Sequence, residues 1–166
     1  DVAGNALNGG FTTGQTYTRS LTGNGIWTQA AWGGLWGAKP NWFKGIVGGG
    51  AGNTADFSTL EVADGLDLVV RLDSPRAIGN LVFGDTDVAS AGNWIVDNNG
   101  DGANTLMLAV AAGNPTVTVN PLGVGASTIL GVSLAGNQGL TKLGDGPLPL
   151  TRPSPLTGQM TVNGGA

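Results

Sequence analysis

Acidic residues that lie close together in the sequence are the first candidates for chemistry. A glycosidase needs two carboxyl groups that face the sugar at about 5 to 9 Å. Asp85 and Asp87 could meet this requirement, because residues i and i+2 of a strand share a face. The stretch Gly-Asp-Thr-Asp follows a predicted strand, however, and its composition is typical of a turn. We therefore predict a turn and no enzymatic activity. The other close acidic pairs are Asp64 with Asp67 and Asp97 with Asp101.

The chain contains no histidine and no cysteine. Ser-His-Asp and Cys-His nucleophiles both require one of these residues, and so do His- or Cys-based zinc sites. Most hydrolase mechanisms are therefore excluded, which strengthens the prediction that the protein is not an enzyme.

The stretch Asp-Asn-Asn-Gly-Asp-Gly at 97–102 resembles the start of a calcium-binding loop, with Asp97, Asn99 and Asp101 as oxygen ligands. The twelfth position of such a loop should carry a bidentate acid, but here it is Leu108. A polar hairpin between two strands explains the same residues and is favoured. Calcium is the one cofactor that the sequence suggests.

Four of the five tryptophans are Trp27, Trp32, Trp36 and Trp42. They could form a stacking platform for sugar rings, or they could cover the open end of a β-core or an interface. Asn41 is the only amide or acid close to them that could bind sugar hydroxyls, so the cap or interface interpretation is favoured.

Short strands separated by turn residues dominate the rest of the chain. Glycine interrupts nearly every window of ten residues and costs about 1 kcal/mol inside a helix, so helix is expected to be a minor element. The run at 48–52 lacks the Lys-Ser/Thr of a phosphate loop and is predicted to be a flexible connection or close-packed backbone. Predicted strands cover 65–73, 77–83, 94–96, 105–110, 116–119, 128–134, 148–151 and 160–162.

These runs recur every ten to fourteen residues or so, with Gly, Asn and Asp between them. The pattern predicts an all-β fold, a β-solenoid of stacked short strands, with a β-sandwich or jelly roll as the alternative. We expect an extended N-terminal arm or strand over 1–24 and a single β domain over 25–166.

Composition limits the partners and the location. Charged residues are 11% of the chain and its net charge is −4, with the seven basic residues scattered, so nucleic-acid binding is not expected. No apolar run reaches the roughly 20 residues of a membrane-spanning helix. The chain begins with Asp1, as expected of a secreted product after signal-peptide removal.

The C-terminal stretch 138–166 resembles the bacterial autotransporter-associated β-strand repeat, whose pattern is Gly-Leu-Thr-Lys-x-Gly-x-Gly-x-Leu-x-Leu, a short turn, and then Tyr-x-Gly-x-Thr-x-Val-x-x-Gly. Upstream segments around Trp27, Asn53–Phe57 and Arg71–Asp87 resemble the module that precedes such repeats, so the resemblance extends from about Gly25 to the end. The matching repeat residues are Gly139, Leu140, Thr141, Lys142, Gly144, Gly146, Leu148, Leu150, Gly158, Thr161, Val162 and Gly164.

Two features depart from the repeat. Leu156 replaces an aromatic residue, and four prolines replace polar residues, so this last hairpin is expected to lie at an edge or to bend away from it. The prolines are Pro147, Pro149, Pro153 and Pro155. The resemblance implies a β-solenoid passenger at the cell surface that serves adhesion or extracellular structure. No C-terminal membrane barrel is recognisable, so self-export is not expected.

An uncharged edge strand is a template for another chain. We therefore predict a non-enzymatic extracellular structural subunit that assembles with copies of itself into a fibre or layer by strand addition or stacking, with Met160 and Val162 at the interface. The alternatives are a glycan-binding adhesin module that uses the tryptophans and a calcium-stabilised passenger domain.

Overall fold

The structure is a computed structural model that describes residues 21–165. Most of the predicted N-terminal arm lies outside the described residues. The end of that arm, Thr22–Gly23, is a short strand that pairs with Val47–Gly48 of the same chain.

The described residues form fourteen strands and two 3-10 turns, Lys39–Asn41 and Phe43–Gly45. In chain order the strands are β1 (Thr22–Gly23), β2 (Gly25–Ile26), β3 (Gly34–Leu35), β4 (Val47–Gly48), β5 (Gly50–Phe57), β6 (Asp67–Arg71), β7 (Arg76–Phe83), β8 (Asn93–Asp97), β9 (Leu106–Leu108), β10 (Thr116–Val119), β11 (Thr128–Gly131), β12 (Leu134–Ala135), β13 (Leu140–Leu143) and β14 (Met160–Asn163).

The chain winds repeatedly around one core and contributes to three faces in each turn. Face A contains β3, β6, β8 and β11. Face B contains the start of β7, then β9 and β12, and face C contains β2, the end of β5, the end of β7, β10, β13 and β14. Strand β7 thus passes around the corner between faces B and C, because its first residues pair with β9 and its last residues pair with β10.

Every pairing between these fourteen strands is parallel. Parallel neighbours require a crossover through the other faces, which a hairpin-built sandwich does not provide. The prediction of a β-solenoid is therefore confirmed, and the sandwich alternative is wrong. The two predicted hairpins, at 97–102 and in the last repeat, are also wrong. The first is a corner between faces A and B. In the second, Leu150 bridges to Leu130 and β14 pairs in parallel with β13, so the two segments lie on different faces and do not pair with each other.

Side chains alternate between the core and the outside, as strand geometry demands. On face C one core column runs through Ala55, Leu81 and Val117, which align across neighbouring coils and are fully buried. Phe57 and Phe83 stack in the next column, with ring centroids 4.9 Å apart and an interplanar angle of 9°. Apolar burial between the three faces is therefore the main stabilising contribution.

The glycine-rich run at 48–52 is ordered backbone and not a flexible connection, because strand β5 begins at Gly50. A Cβ on Gly79 would lie only 2.6 Å from the Gly52 Cα in the coil beneath. The prediction of close-packed backbone is the one that the structure supports. Glycine is needed here because β7 turns its corner directly against the preceding coil.

The predicted strand at 148–151 is reduced to an isolated bridge between Leu150 and Leu130. Pro147 and Pro149 accept hydrogen bonds through their carbonyls from Thr128 and Leu130, but they have no N–H to donate in return. Thr151 does donate back to the Leu130 carbonyl (3.1 Å), so the ladder is interrupted at the two prolines and no continuous strand forms. The converse errors include β5 and β13, strands that the sequence pattern did not predict.

Candidate functional site

The last coil lies on the preceding one with a constant spacing of 20 residues. Leu150 aligns with Leu130 on face A, Leu156 with Gly136 on face B, and Met160 with Leu140 on face C. Only the third of these contacts is a continuous strand pair, β13 with β14. Face C is therefore where the last coil presents a regular strand edge.

Met160 and Val162 lie at core-facing positions of β14 and are nevertheless exposed, by 55% and 62%. Their partners in β13, Leu140 and Lys142, are 2% and 5% exposed. Aligned residues of parallel strands point to the same side of the sheet. Met160 and Val162 thus extend two columns of the core, and no described residue covers them.

The backbone of these two residues is also directed toward the uncovered edge. The Leu140 N–H donates to the Gln159 carbonyl (3.1 Å), so the odd-numbered residues of β14 face β13. Backbone groups alternate in direction along a strand. The N–H and C=O of Met160 and Val162 therefore point away from β13, as free donors and acceptors for another strand.

β14 lacks the residues that normally protect an edge strand from pairing with another chain. Proline and charged residues are the usual protection of an edge strand, and β14 contains neither. The missing donors of Pro147 and Pro149 concern face A, where the alternation directs them toward β11. The prolines therefore weaken the attachment of the last coil and leave the uncovered edge of face C open.

The opposite end of the core is covered by tryptophan. Trp27, Trp36 and Trp42 are buried and surround Phe57, with ring centroids 5.4 to 5.8 Å from that ring. Each indole N–H is satisfied, because Trp27 donates to the Gln29 carbonyl, Trp36 to Gly48 and Trp42 to Trp36. These three side chains form a cap on the N-terminal coil, called here the tryptophan cap.

A sugar-stacking platform of four tryptophans is ruled out by this burial. Ring faces packed against Phe57 and against one another are not accessible to a ligand. Trp32 alone is exposed, by 76%, in a turn where its φ is 56°. The structure thus separates Trp32 from the other three predicted residues.

The acidic residues of the corners accept hydrogen bonds from backbone N–H groups of their own coil and of the neighbouring coil. Asp85 accepts from the N–H groups of Val62 (3.2 Å) and Asp87 (2.9 Å), and Asp87 accepts from Ala89 (3.0 Å). Asp64 accepts from the Ala91 N–H (2.6 Å). These bonds stabilise the stacked corners between faces C and A, as the turn interpretation of Asp85 and Asp87 expects.

The predicted calcium residues lie in the corner that follows β8. Asp97 accepts from the Asn99 N–H (2.8 Å), and Asp101 accepts from the Ala103 N–H (2.9 Å). Asn99 has a left-handed φ of 53°. Between residues 21 and 165 no group of three His, Cys, Asp or Glu residues is arranged to hold a metal ion. Calcium binding by Asp97, Asn99 and Asp101 stays a prediction.

Lys142 is a site residue that the sequence reasoning missed. Its ammonium donates to the carbonyls of Gly144 and Gly164, the latter at 2.8 Å, which lie in successive coils. Burial lowers the pKa of Lys142 below its ordinary value, and the Asp145 carboxylate partly opposes that shift. The alternation Leu-Thr-Lys contained the signal, because it places Lys142 on the same side of the strand as Leu140.

Comparison with known proteins finds a similar segment in the adhesin BmaC autotransporter of Brucella suis biovar 1 (strain 1330). The two are 37% identical over 115 residues, which cover 69% of this chain and 3% of the relative. The chain thus spans a small fraction of the length of that protein. No protein-family profile matches the chain, and no solved structure matches it. The expected relation to autotransporters is supported at this general level.

In the described part of the chain, no helix is long and apolar enough to cross a bilayer.

Proposed function

We propose that the protein is a non-enzymatic structural module of the bacterial cell surface or extracellular space, and that copies of it associate by strand addition at β14. The observation that carries this proposal is the uncovered coil, in which Met160 and Val162 extend the core columns into solvent. Similarity to a segment of an autotransporter adhesin supports the surface location and the adhesin-like role.

Strand addition suits the chemistry of β14. An incoming strand could bond to four backbone groups, the N–H and C=O of Met160 and of Val162. It could also pack against the apolar side chains of these two residues. Main-chain bonds supply affinity in this mode of recognition, and the side-chain pockets supply specificity. The edge carries no charge that an incoming strand would have to desolvate.

The partner proposed is the N-terminal segment, residues 1–20, of a second copy, because Thr22–Gly23 already pairs with Val47–Gly48 of its own chain. Simple stacking of one solenoid end on the other is disfavoured, because the tryptophan cap already covers the N-terminal core. The segment is uncharged apart from Asp1 and Arg19, and Phe11 and Tyr17 are aromatic residues that could cover β14. A contact of this kind is heterologous, and it produces filaments when the rotation between copies does not close into a ring, which is the geometry proposed here.

Sedimentation velocity and negative-stain microscopy of the purified chain test the proposal. We expect concentration-dependent polymers from the parent, and monomers after deletion of residues 1–20 or after Met160→Lys. Met107→Lys is a matched control, because Met107 is equally exposed (51%) but lies on face B in the interior strand β9. A parent chain that stays monomeric over the accessible concentration range overturns the proposal, as do polymers that survive Met160→Lys.

Glycan binding is a second candidate, favoured by the 76% exposure of Trp32 and by the adhesin relative. A single exposed indole can stack on one sugar ring. Binding to a panel of immobilised bacterial and host glycans should then disappear in Trp32→Ala and persist in Met160→Lys.

In a calcium-stabilised passenger domain, by contrast, EDTA would lower the Tm of the parent and leave the Tm of Asp97→Ala unchanged.

A further inference from the structure

The column that contains Lys142 has an unusual composition. In the preceding coils the aligned core positions are Ala55, Leu81 and Val117, which are all apolar and fully buried. Lys142 takes the next position and is only 5% exposed, although lysine is among the residues that are rarely buried. Val162 then continues the column in β14.

Glycine backbone lies next to the ammonium of Lys142. Gly144 lies so close to β10 that a Cβ on it would be 2.3 Å from the Val119 carbonyl oxygen. A Cβ on Gly165 would lie 2.8 Å from the Lys142 Nζ. Where Phe57 and Phe83 fill the core in earlier coils, the last coils have glycine backbone, and the ammonium reaches the carbonyls of that backbone.

The two carbonyls that accept from Lys142 occupy equivalent places. Gly144 follows β13 and Gly164 follows β14, one coil later. A single ammonium therefore joins the corner of one coil to the corner of the next, and charge-assisted bonds of this type are about twice as strong as neutral ones. On faces A and B the last coil has no continuous strand pair to do the same work.

We propose that Lys142 is a latch that closes the last coil onto its neighbour and holds β14 in the register that an incoming strand requires. The link between Lys142 and assembly rests on the proposed function. Closure of the last coil by Lys142 does not depend on it. Burial of a charged group often costs global stability, and a hydrophobic residue of similar volume can be equally stable or better. The expected effect of removing the charge is therefore local opening and not global unfolding.

Lys142→Met tests this inference, because methionine keeps the aliphatic stem and removes the ammonium. Lys44→Met is the control, since Lys44 is exposed and lies over the Phe43 ring, 5.2 Å from its centroid. Native-state hydrogen exchange is measured in dilute solution, where the chain is monomeric, at the Thr161 and Asn163 amides that bond back to β13. We expect these amides to exchange about tenfold faster or more in Lys142→Met, with unchanged exchange in β7 and no loss of global unfolding free energy.

Sedimentation of the same variants separates the two proposals. If Lys142→Met opens the last coil and also shifts polymer formation to higher concentration, both are supported. If the last coil opens but the parent never assembles, the latch stands and the proposed function fails. Exchange at Thr161 and Asn163 that is equal in Lys142→Met and Lys44→Met overturns the latch, whatever the state of assembly.

Discussion

Thr128 is a poorly matched residue in an otherwise apolar part of the core. It is fully buried at a core-facing position of β11, next to Trp94 in β8, and its hydroxyl has no hydrogen-bond partner. Burial of an unpaired hydroxyl costs free energy that an isosteric apolar side chain avoids.

We therefore expect Thr128→Val to raise the free energy of unfolding by about 1 kcal/mol, measured by urea denaturation. Thr116→Val is the control, because the Thr116 hydroxyl lies 2.8 Å from the Asn80 side-chain oxygen and forms a hydrogen bond with it. That substitution should be neutral or destabilising. Equal effects of the two substitutions would mean that the Thr128 hydroxyl is satisfied in solution, for example by water.

Lys142 predicts a pH dependence whose sign follows from its lowered pKa. Between the folded and the ordinary pKa the unfolded chain binds more protons, so the free energy of unfolding rises with pH. As pH rises from neutral toward the ordinary lysine pKa, we expect the parent to gain stability relative to Lys142→Met, which lacks the titrating group. The other basic residues are shared by both proteins and cancel in the difference. A difference that shrinks or stays constant over this range would contradict the burial of the ammonium.

At the scale of the elements, the corner of β7 depends on glycine. Gly79 lies between the residues that pair with β9 and those that pair with β10, and a Cβ there would be 2.6 to 2.7 Å from the backbone of Gly52. These nearest atoms are all backbone, so no flexible side chain could move away to make room. The corner can therefore admit a larger residue only if one coil shifts.

Gly79→Ala should accordingly destabilise the fold by several kcal/mol or prevent folding, since overpacking against backbone exceeds the usual cost of about 1–3 kcal/mol. Gly102→Ala is the matched control, because no atom lies within 4 Å of its added Cβ and its φ is not left-handed. Circular dichroism and thermal unfolding report the difference. A Gly79→Ala protein as stable as Gly102→Ala would show that the coils at this corner are less closely packed than described.

At the scale of the whole molecule, the two ends of the core differ. The first described coil is closed by the tryptophan cap, and the last described coil exposes Met160 and Val162. The strand addition proposed at β14 would therefore give an assembly with a defined direction. Low charge over the chain means that the contact should depend little on salt.

Hydrogen exchange in the assembled state should show an alternating pattern along β14. Thr161 and Asn163 are already bonded to β13 and should be protected before assembly, whereas Met160 and Val162 should become protected only on assembly. Two-dimensional NMR after dissolution of exchanged polymers measures this residue by residue. Protection that appears uniformly over β14, or not at all, would place the contact elsewhere.

Particular residues show how far the sequence could be interpreted. Thr116–Val119 is a β-branched alternating run, and it forms a strand in the predicted bounds because local propensity and burial agree. The tryptophans were recognisable as large apolar groups near an end of the core, but their spacing could not say which would be buried. Trp32 and Trp36 are four residues apart in the sequence, yet Trp32 is exposed and Trp36 is fully buried. The fold of the chain between them decides this difference.

The amino-acid sequence by itself determined most of the short strands, the glycine corners and the all-β class, since these depend on local conformational preference and on alternation of apolar residues. Only the tertiary structure decided the parallel stacking, the role of Lys142 and the uncovered edge at Met160 and Val162. Those properties depend on which residues become neighbours some 20 to 36 positions apart. Such distant register is set by the packing of whole coils, and no local pattern specifies it.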